Sequence, residues 1–90
     1  ILNQNNLQIF PNPSEIFLHL NFGHEIRPIS IQILSTLGQL VFRQDLNDLS
    51  TGSSSQYQID YPSNMPDGMY WLICHTDEGW ISKRFIKLAN

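Results

Sequence analysis

The 90-residue sequence contains a single cysteine, whereas small secreted domains often use several disulfides for stability. Cys74 cannot form a disulfide within the chain, so the fold must be stabilised by packing. Charge is also scarce: five Lys and Arg against eight Asp and Glu give a formal net charge of −3. So few cations argue against nucleic acid as a partner, because phosphate binding requires a basic patch. The sequence contains neither a run approaching the ~18 apolar residues of a membrane span nor a signal-peptide pattern.

Apolar and polar residues alternate with a period of two in the first half of the chain, which is typical of strands with one buried face. Residues 16–22 alternate in this way, with Ile29, Ile31 and Ile33 predicted to share one face of the next strand. Apolar residues resume at 40–42 after Leu37-Gly38-Gln39, so this pair of runs predicts a β-hairpin. The polar stretch 47–56 predicts a loop, and a short strand follows it and ends before Pro62.

Two apolar runs dominate the second half. Residues 68–76, GMYWLICHT, are apolar in both phases, which predicts a central strand covered on both faces. After a turn at 77–79, residues 80–88 predict the last strand. Lys83 and Lys87 share the phase of Ile81, a pattern typical of an edge strand protected by charge. About seven strands at regular spacing and no helical period predict an all-β sandwich.

The residues that could carry chemistry do not form a recognisable site. His19, His24 and His75 are dispersed, and the spacings HExxH, CxxC and GxSxG are absent. Cys74 lies within an apolar strand, where a buried small hydrophobe is favoured over a reactive thiol. The acidic residues fall in or beside predicted turns: Asp45, Asp48, Asp60 and Asp67. They lack the spacing of a calcium-binding loop, but an ion site whose ligands come from several loops stays open as an alternative. Neither an enzyme nor a cofactor is predicted.

The aromatic residues leave an alternative open. Most of the tryptophans and tyrosines are expected to fill the core. A row of exposed rings from Trp71, Trp80 or Tyr61 would instead suit an adhesive or carbohydrate-binding β-sandwich module of a surface enzyme. The orientation of the rings discriminates between a core-filling role and a sugar-binding face.

Four short motifs punctuate the chain in a specific order: Phe10-Pro11-Asn12-Pro13, Leu37-Gly38-Gln39-Leu40-Val41, Met65-Pro66-Asp67-Gly68-Met69-Tyr70 and Lys83-Arg84-Phe85-Ile86-Lys87. Together they resemble the type A C-terminal sorting domain of the type IX (Por) secretion system of Bacteroidetes, from Leu7 to Asn90. That pattern has a YPNP-like opening, a central glycine turn, a "lp-GvY" turn and a lysine-bearing last strand. Phe10 replaces the usual Tyr, Met65 the usual Leu and Met69 the usual Val, all conservative changes.

The resemblance implies an immunoglobulin-like antiparallel sandwich of about seven strands that serves as a non-catalytic export signal. Residues 1–6 would be the end of a linker and 7–90 the sorting domain, and a start at Ile1 instead of Met predicts a fragment of a longer protein. The implied partners are an N-terminal cargo, the type IX translocon and a sortase-like peptidase that cuts upstream of Leu7. The cargo would use its own signal peptide, fold in the periplasm and reach the cell surface or medium across the outer membrane.

The resemblance also assigns roles to particular residues. The translocon is expected to contact the terminal segment and the adjoining turn, in part by strand addition. The implied recognition residues are Gly68, Tyr70, Lys83, Arg84, Phe85, Ile86 and Lys87. The implied structural turn residues are Pro11, Asn12, Pro13, Gly38, Pro66 and Gly68. The two prolines around Asn12 hold the chain extended, which predicts a rigid junction between linker and domain.

Overall fold

In the part of the chain that the structure describes, seven antiparallel strands form two sheets. The computed structural model describes residues 7–10, 17–23, 26–46, 56–62 and 64–88. The strands are β1 Leu7–Phe10, β2 Phe17–Phe22, β3 Pro28–Ser35, β4 Leu40–Asp45, β5 Gln56–Asp60, β6 Gly68–Thr76 and β7 Gly79–Lys87. The strand orders are β1-β2-β5 and β4-β3-β6-β7. The predicted all-β sandwich is therefore confirmed, whereas the linker end 1–6, the turn at Pro11, Asn12 and Pro13, and most of the loop 47–56 lie outside the described residues.

The core lies between the two sheets and is built by the inward phase of each strand. In β2 every second residue is buried, and Leu18 pairs across the sheet with the equally buried Ile59 of β5. Fully burying one such side chain contributes about 1.5–3 kcal/mol. The fully enclosed residues come from both sheets: Leu7, Leu18, Leu20, Ile31, Ile33, Leu46, Ile59, Leu72, Cys74 and Phe85. Period-two alternation thus supplies one apolar face per sheet, and the two faces meet.

Strand β6 has the central position that was predicted, but it is covered on only one face. It pairs with β3 on one side and β7 on the other. Tyr70, Leu72 and Cys74 are buried, whereas Met69 is 43% exposed and Trp71 half-buried. The prediction of cover on both faces is wrong because a two-layer sandwich buries one face of each sheet. The other phase of β6 is apolar on the outside of the molecule.

Strand β3 departs from strict alternation at its start. The pairing with β6 shifts register between Pro28 and Ser30, as a β-bulge does. Ser30 and Ile31 are consecutive and both buried, while Ile29 is only half-buried. The prediction that Ile29 shares a face with Ile31 and Ile33 is therefore wrong. The extra residue of the bulge exchanges the inward and outward positions of the residues that precede it in β3.

The hairpin between β3 and β4 forms where the glycine turn was predicted. Gly38 has a φ of 84°, in the left-handed region that a residue with a side chain rarely adopts. Its N–H donates to the Ser35 carbonyl at 2.9 Å, and the Ser35 hydroxyl accepts from the N–H groups of Leu37 and Gln39 at 3.2 Å each. Gly38 therefore lies at the turn in a backbone conformation that favours glycine.

The hairpin between β6 and β7 is held from two sides. The Thr76 hydroxyl donates to the Gly79 carbonyl at 2.9 Å and accepts from the Glu78 N–H at 3.1 Å. Asp77 exchanges two bonds with the main chain of Arg27: the Asp77 N–H donates to its carbonyl, and the Arg27 N–H donates to Asp77 Oδ1. The register of β6 and β7 is therefore fixed at the turn and propagates to the far end of the pair.

Candidate functional site

The pairing of β6 with β7 brings two of the sequence motifs side by side. Because the two strands form a hairpin, the beginning of β6 lies against the end of β7. Gly68 pairs with Lys87, Met69 with Ile86, and Tyr70 with Phe85. The turn that precedes β6 and the end of the last strand therefore form one structural unit.

The inward half of this unit is a stack of aromatic rings. Phe85 is 1% exposed, and its ring centroid lies 5.8 Å from those of both Tyr61 and Tyr70. The Tyr70 hydroxyl donates to the Pro66 carbonyl. Burial, and secondly the nearby Asp67 carboxylate, raises the pKa of Tyr70. Tyr70 and Phe85 therefore hold the turn in place from inside, with no ring face presented to a partner.

Lys87 is also buried, and its charge is paired. Its Nζ lies 3.3 Å from Oδ1 of Asp67, whose side chain is about half exposed. Lys83, at the same phase of β7, is half-buried. Their shared phase with Ile81 is confirmed, and β7 is the end strand of its sheet among the described strands. Because that phase faces the core, Lys87 is not the solvent-exposed charge that was expected to protect an edge strand. Lys83 points inward but is only half-buried, and an inward-pointing charge of this kind is one way in which an edge strand is protected.

The outward half of the unit is exposed. Ile86 is 38% exposed beside Met69, and the Arg84 guanidinium lies 5.7 Å from the centre of the Trp71 ring. A cation at that distance over an indole is attracted to it by about 0.5–1 kcal/mol at an exposed site. The predicted recognition residues thus divide into two groups: buried Tyr70, Phe85 and Lys87, and exposed Arg84 and Ile86, with Gly68 and Lys83 between these extremes.

Residues 8–88 match the family described as secretion system C-terminal sorting domain. The chain belongs to this family. The resemblance drawn from the four motifs is confirmed, and with it the association with Bacteroidetes. A sorting domain of this kind is a signal for type IX secretion, which exports proteins to the cell surface or beyond. A search of curated proteins finds no match.

Sequence reasoning missed the environments of three residues of the sorting domain's C-terminal unit: Asp67, Met69 and Trp71. The sequence places Asp67 in a turn, but it does not place it beside Lys87, twenty positions later, whose charge it neutralises. The doubly covered strand predicted for 68–76 would bury Met69 and Trp71, and only the sugar-binding alternative has Trp71 exposed. Only the pairing register, which follows from the hairpin turn, identifies them. The Pro66 carbonyl accepts the hydrogen bond from the Tyr70 hydroxyl.

The two histidines that the structure describes, His19 and His75, lie on different sheets of the sorting domain. His19 packs between Phe10 and Phe17 on the three-stranded sheet, at ring-centroid distances of 5.4 and 4.9 Å. His75 stacks on Trp80 of the other sheet at 4.2 Å, and His24 lies outside the described residues. Within the described ranges, there is no group of three or more His, Cys, Asp or Glu side chains placed to hold a metal. Nor does that part of the chain contain a helix long and apolar enough to cross a bilayer.

The aromatic rings only partly match the pattern expected of a sugar-binding face. Tyr57 and Tyr70 are buried, and Tyr61 packs against the core, as the core-filling interpretation predicted. Trp71 and Trp80 do lie on one outer face, but on separate cross-strand rows. Arg84 covers the Trp71 ring and His75 covers one side of Trp80. The two tryptophans therefore do not present a continuous row of open rings.

Cys74 is expected to be unreactive in the folded sorting domain. It is fully buried, which confirms the sequence interpretation, and burial raises the pKa of its thiol to about 12. A thiol reagent at pH 8 should therefore modify it only after unfolding. Because the folded-state pKa lies above the unfolded value of 9.0, this group lowers the free energy of unfolding as pH rises from about 9 towards 12.

Urea titrations at pH 8 and pH 10 measure this dependence. Cys74→Ala removes the thiol and should show a smaller decline in the free energy of unfolding between the two pH values than the unchanged domain. Rapid labelling of the native domain at pH 8, or equal declines in both proteins, would contradict the expectation.

Proposed function

We propose that residues 7–90 are a non-catalytic signal that directs an N-terminally attached cargo across the outer membrane through the type IX secretion system, with residues 1–6 as the end of the linker. The observation that carries the proposal is the family match over residues 8–88. The structure adds support because three of the four motifs that define the resemblance converge at one end of the four-stranded sheet. In the part of the chain that the structure describes, this end of the sheet offers an exposed surface for recognition.

The route follows the family. The cargo crosses the inner membrane by its own signal peptide, folds in the periplasm and is moved to the cell surface by the outer-membrane machinery. A sortase-like peptidase then removes the domain. Leu7 is fully buried in the core, so a cut that leaves the sandwich intact falls before it. This supports cleavage upstream of Leu7.

Recognition involves the Gly68 turn and the segment from Lys83 to the chain's end. The exposed side chains of Arg84 and Ile86 are available for contact, whereas buried Tyr70, Phe85 and Lys87 shape the surface from inside. Gly68 begins β6 with a φ of 152°, a conformation almost confined to glycine. Recognition in this proposal therefore depends on a folded domain, since the exposed contacts are placed by the buried ones.

A reporter fusion tests the proposal. Residues 1–90 are attached to the C-terminus of a reporter with its own signal peptide, and the fusion is expressed in a host with a type IX system. We expect the reporter at the cell surface or in the medium. Removal of Phe85–Asn90 should leave it in the periplasm, because both the aromatic stack and the recognition segment are lost.

Two controls make the result interpretable. A host strain without the translocon should retain the complete fusion in the periplasm. The truncated fusion must be present there at a comparable amount, so that degradation is not mistaken for failed export. Surface exposure that is independent of the translocon, or undiminished by the truncation, would refute the proposed function.

A further inference from the structure

An apolar row crosses the outside of the four-stranded sheet at the end where β7 finishes. Leu40, Leu34, Trp71 and Arg84 are neighbours in register across all four strands. Met69 and Ile86 form the adjacent pair. At about 4.8 Å between strands the row is about 15 Å long. The outer patch consists of these six residues: Leu34, Leu40, Met69, Trp71, Arg84 and Ile86.

The outer patch is more apolar than the outside of the other sheet. One row there is Gln8, Asn21 and Gln56, all polar, and the next is Phe10, His19 and Gln58, of which only Phe10 is apolar. In the outer patch, Leu40 is 57% exposed and Met69 and Ile86 are each more than a third exposed. An outward sheet face is ordinarily polar, and a contiguous exposed apolar area marks an interaction site.

Three of the four sequence motifs contribute to the outer patch. Leu40 comes from the motif at the β3–β4 turn, Met69 from the motif that begins β6, and Arg84 and Ile86 from the motif in β7. These motifs are far apart along the chain and meet only through strand pairing. The residues that carry the family resemblance therefore present a common outward surface as well as a common interior.

Charge indicates what the partner must offer. Among the described residues the ion pairs are Arg43 with Asp45 and Lys87 with Asp67, so Arg84 has the Trp71 ring but no acidic group beside it. We propose that the outer patch docks onto a protein subunit of the export machinery that presents apolar side chains around a carboxylate for Arg84. This inference rests on the proposed function. The outer patch has six residues, whereas a standard stable interface has about 20–30 a side, so it suits a transient complex, as a domain that is later released requires.

The structure favours this occupant over two others. A second copy related by a twofold axis would present the same outer patch, whose only charged residue is another Arg84, so it offers no carboxylate to the first. A sugar would need the Trp71 ring face, which Arg84 covers. A protein surface with a carboxylate satisfies both Arg84 and its apolar neighbours.

Export of the reporter fusion tests the outer patch. Arg84→Glu and Ile86→Lys should each lower the exported fraction at least about tenfold, because a misplaced charge in an interface costs several kcal/mol. Arg27→Glu is the matched control: it makes the same charge change at an exposed residue at the opposite end of the sheet. It should export like the unchanged fusion. The purified Arg84→Glu, Ile86→Lys and Arg27→Glu domains should each have a melting temperature within about 4 °C of that of the unchanged domain, because surface substitutions usually have small effects on stability. If Arg84→Glu does not fold, Arg84→Gln takes its place.

Site-specific photo-crosslinking identifies the occupant. A crosslinker at Leu40 should label a protein subunit of the translocon, whereas one at Gln58, exposed on the other sheet, should not. Unchanged export of folded Arg84 and Ile86 variants would overturn the inference while leaving the proposed function intact. So would an equal defect in Arg27→Glu, or crosslinks at Leu40 to a second copy or to a polysaccharide. Failure of the unchanged fusion to be exported would overturn both.

Discussion

Replacing Phe85 with alanine is expected to remove a large part of the stability of the sorting domain. The ring is almost fully enclosed and stacked on both Tyr61 and Tyr70. Truncating a buried phenylalanine costs about 3–5 kcal/mol, through lost burial and the cavity left behind. A domain of this length has a total free energy of unfolding of about 5–13 kcal/mol. The melting temperature should fall by about 15 °C or more.

The neighbouring residue is the matched control. Ile86 lies on the same strand but on the outer face, so Ile86→Ala removes apolar atoms that are already partly in water. It should cost about 1 kcal/mol or less. Urea denaturation followed by circular dichroism measures both. Equal losses in the two variants would mean that β7 does not have the inward and outward faces described above.

The same pair of positions separates two reasons for lost export. Phe85→Ala should impair export by unfolding the domain, and cooling should restore part of it. Ile86→Lys should impair export of a domain that is still folded, and cooling should not restore it. Both residues belong to the motif in β7. Because they lie on opposite faces of this strand, Phe85 is expected to be required for stability and Ile86 for recognition.

The order of strands and turns could be predicted from the sequence because its evidence is local. Alternation with a period of two defined β2 and β5, and the glycine at position 38 defined the β3–β4 turn. The bulge near Ile29 could not be predicted, since it depends on the pairing of β3 with β6. The open outer face of β6 was missed for a related reason: an apolar run looks the same whether a second layer or a binding partner covers it.

The residues of the candidate site could be listed from the motifs, but their roles could not. Lys87 resembled a surface charge because lysine usually is one. Its burial depends on its position opposite Gly68, which places Asp67 within reach. That position is set by the Thr76–Gly79 turn at the other end of the hairpin. Cross-strand register is a property of the pair, so neither motif contains it alone.

The ion pair between Lys87 and Asp67 should respond asymmetrically to substitution. Asp67→Asn leaves the Lys87 ammonium in a site that water hardly reaches, without its carboxylate. Removing one partner of a fully buried pair costs about 3–5 kcal/mol. Because Asp67 is about half exposed, water screens part of the charge, and we expect about 1–2 kcal/mol. Lys87→Met keeps the length of the side chain and removes the charge, so its effect should be close to zero.

The double variant shows whether the charge is responsible. In the Lys87→Met background no ammonium remains to be stranded, so Asp67→Asn should cost less than half of what it costs in the unchanged domain. The free energies of unfolding of the four proteins, from urea titrations at one ionic strength, give the coupling directly. An equal cost of Asp67→Asn in both backgrounds would assign its effect to the turn alone. The expected result would instead show that the lysine of the last strand stabilises the site by binding the turn, from inside the domain.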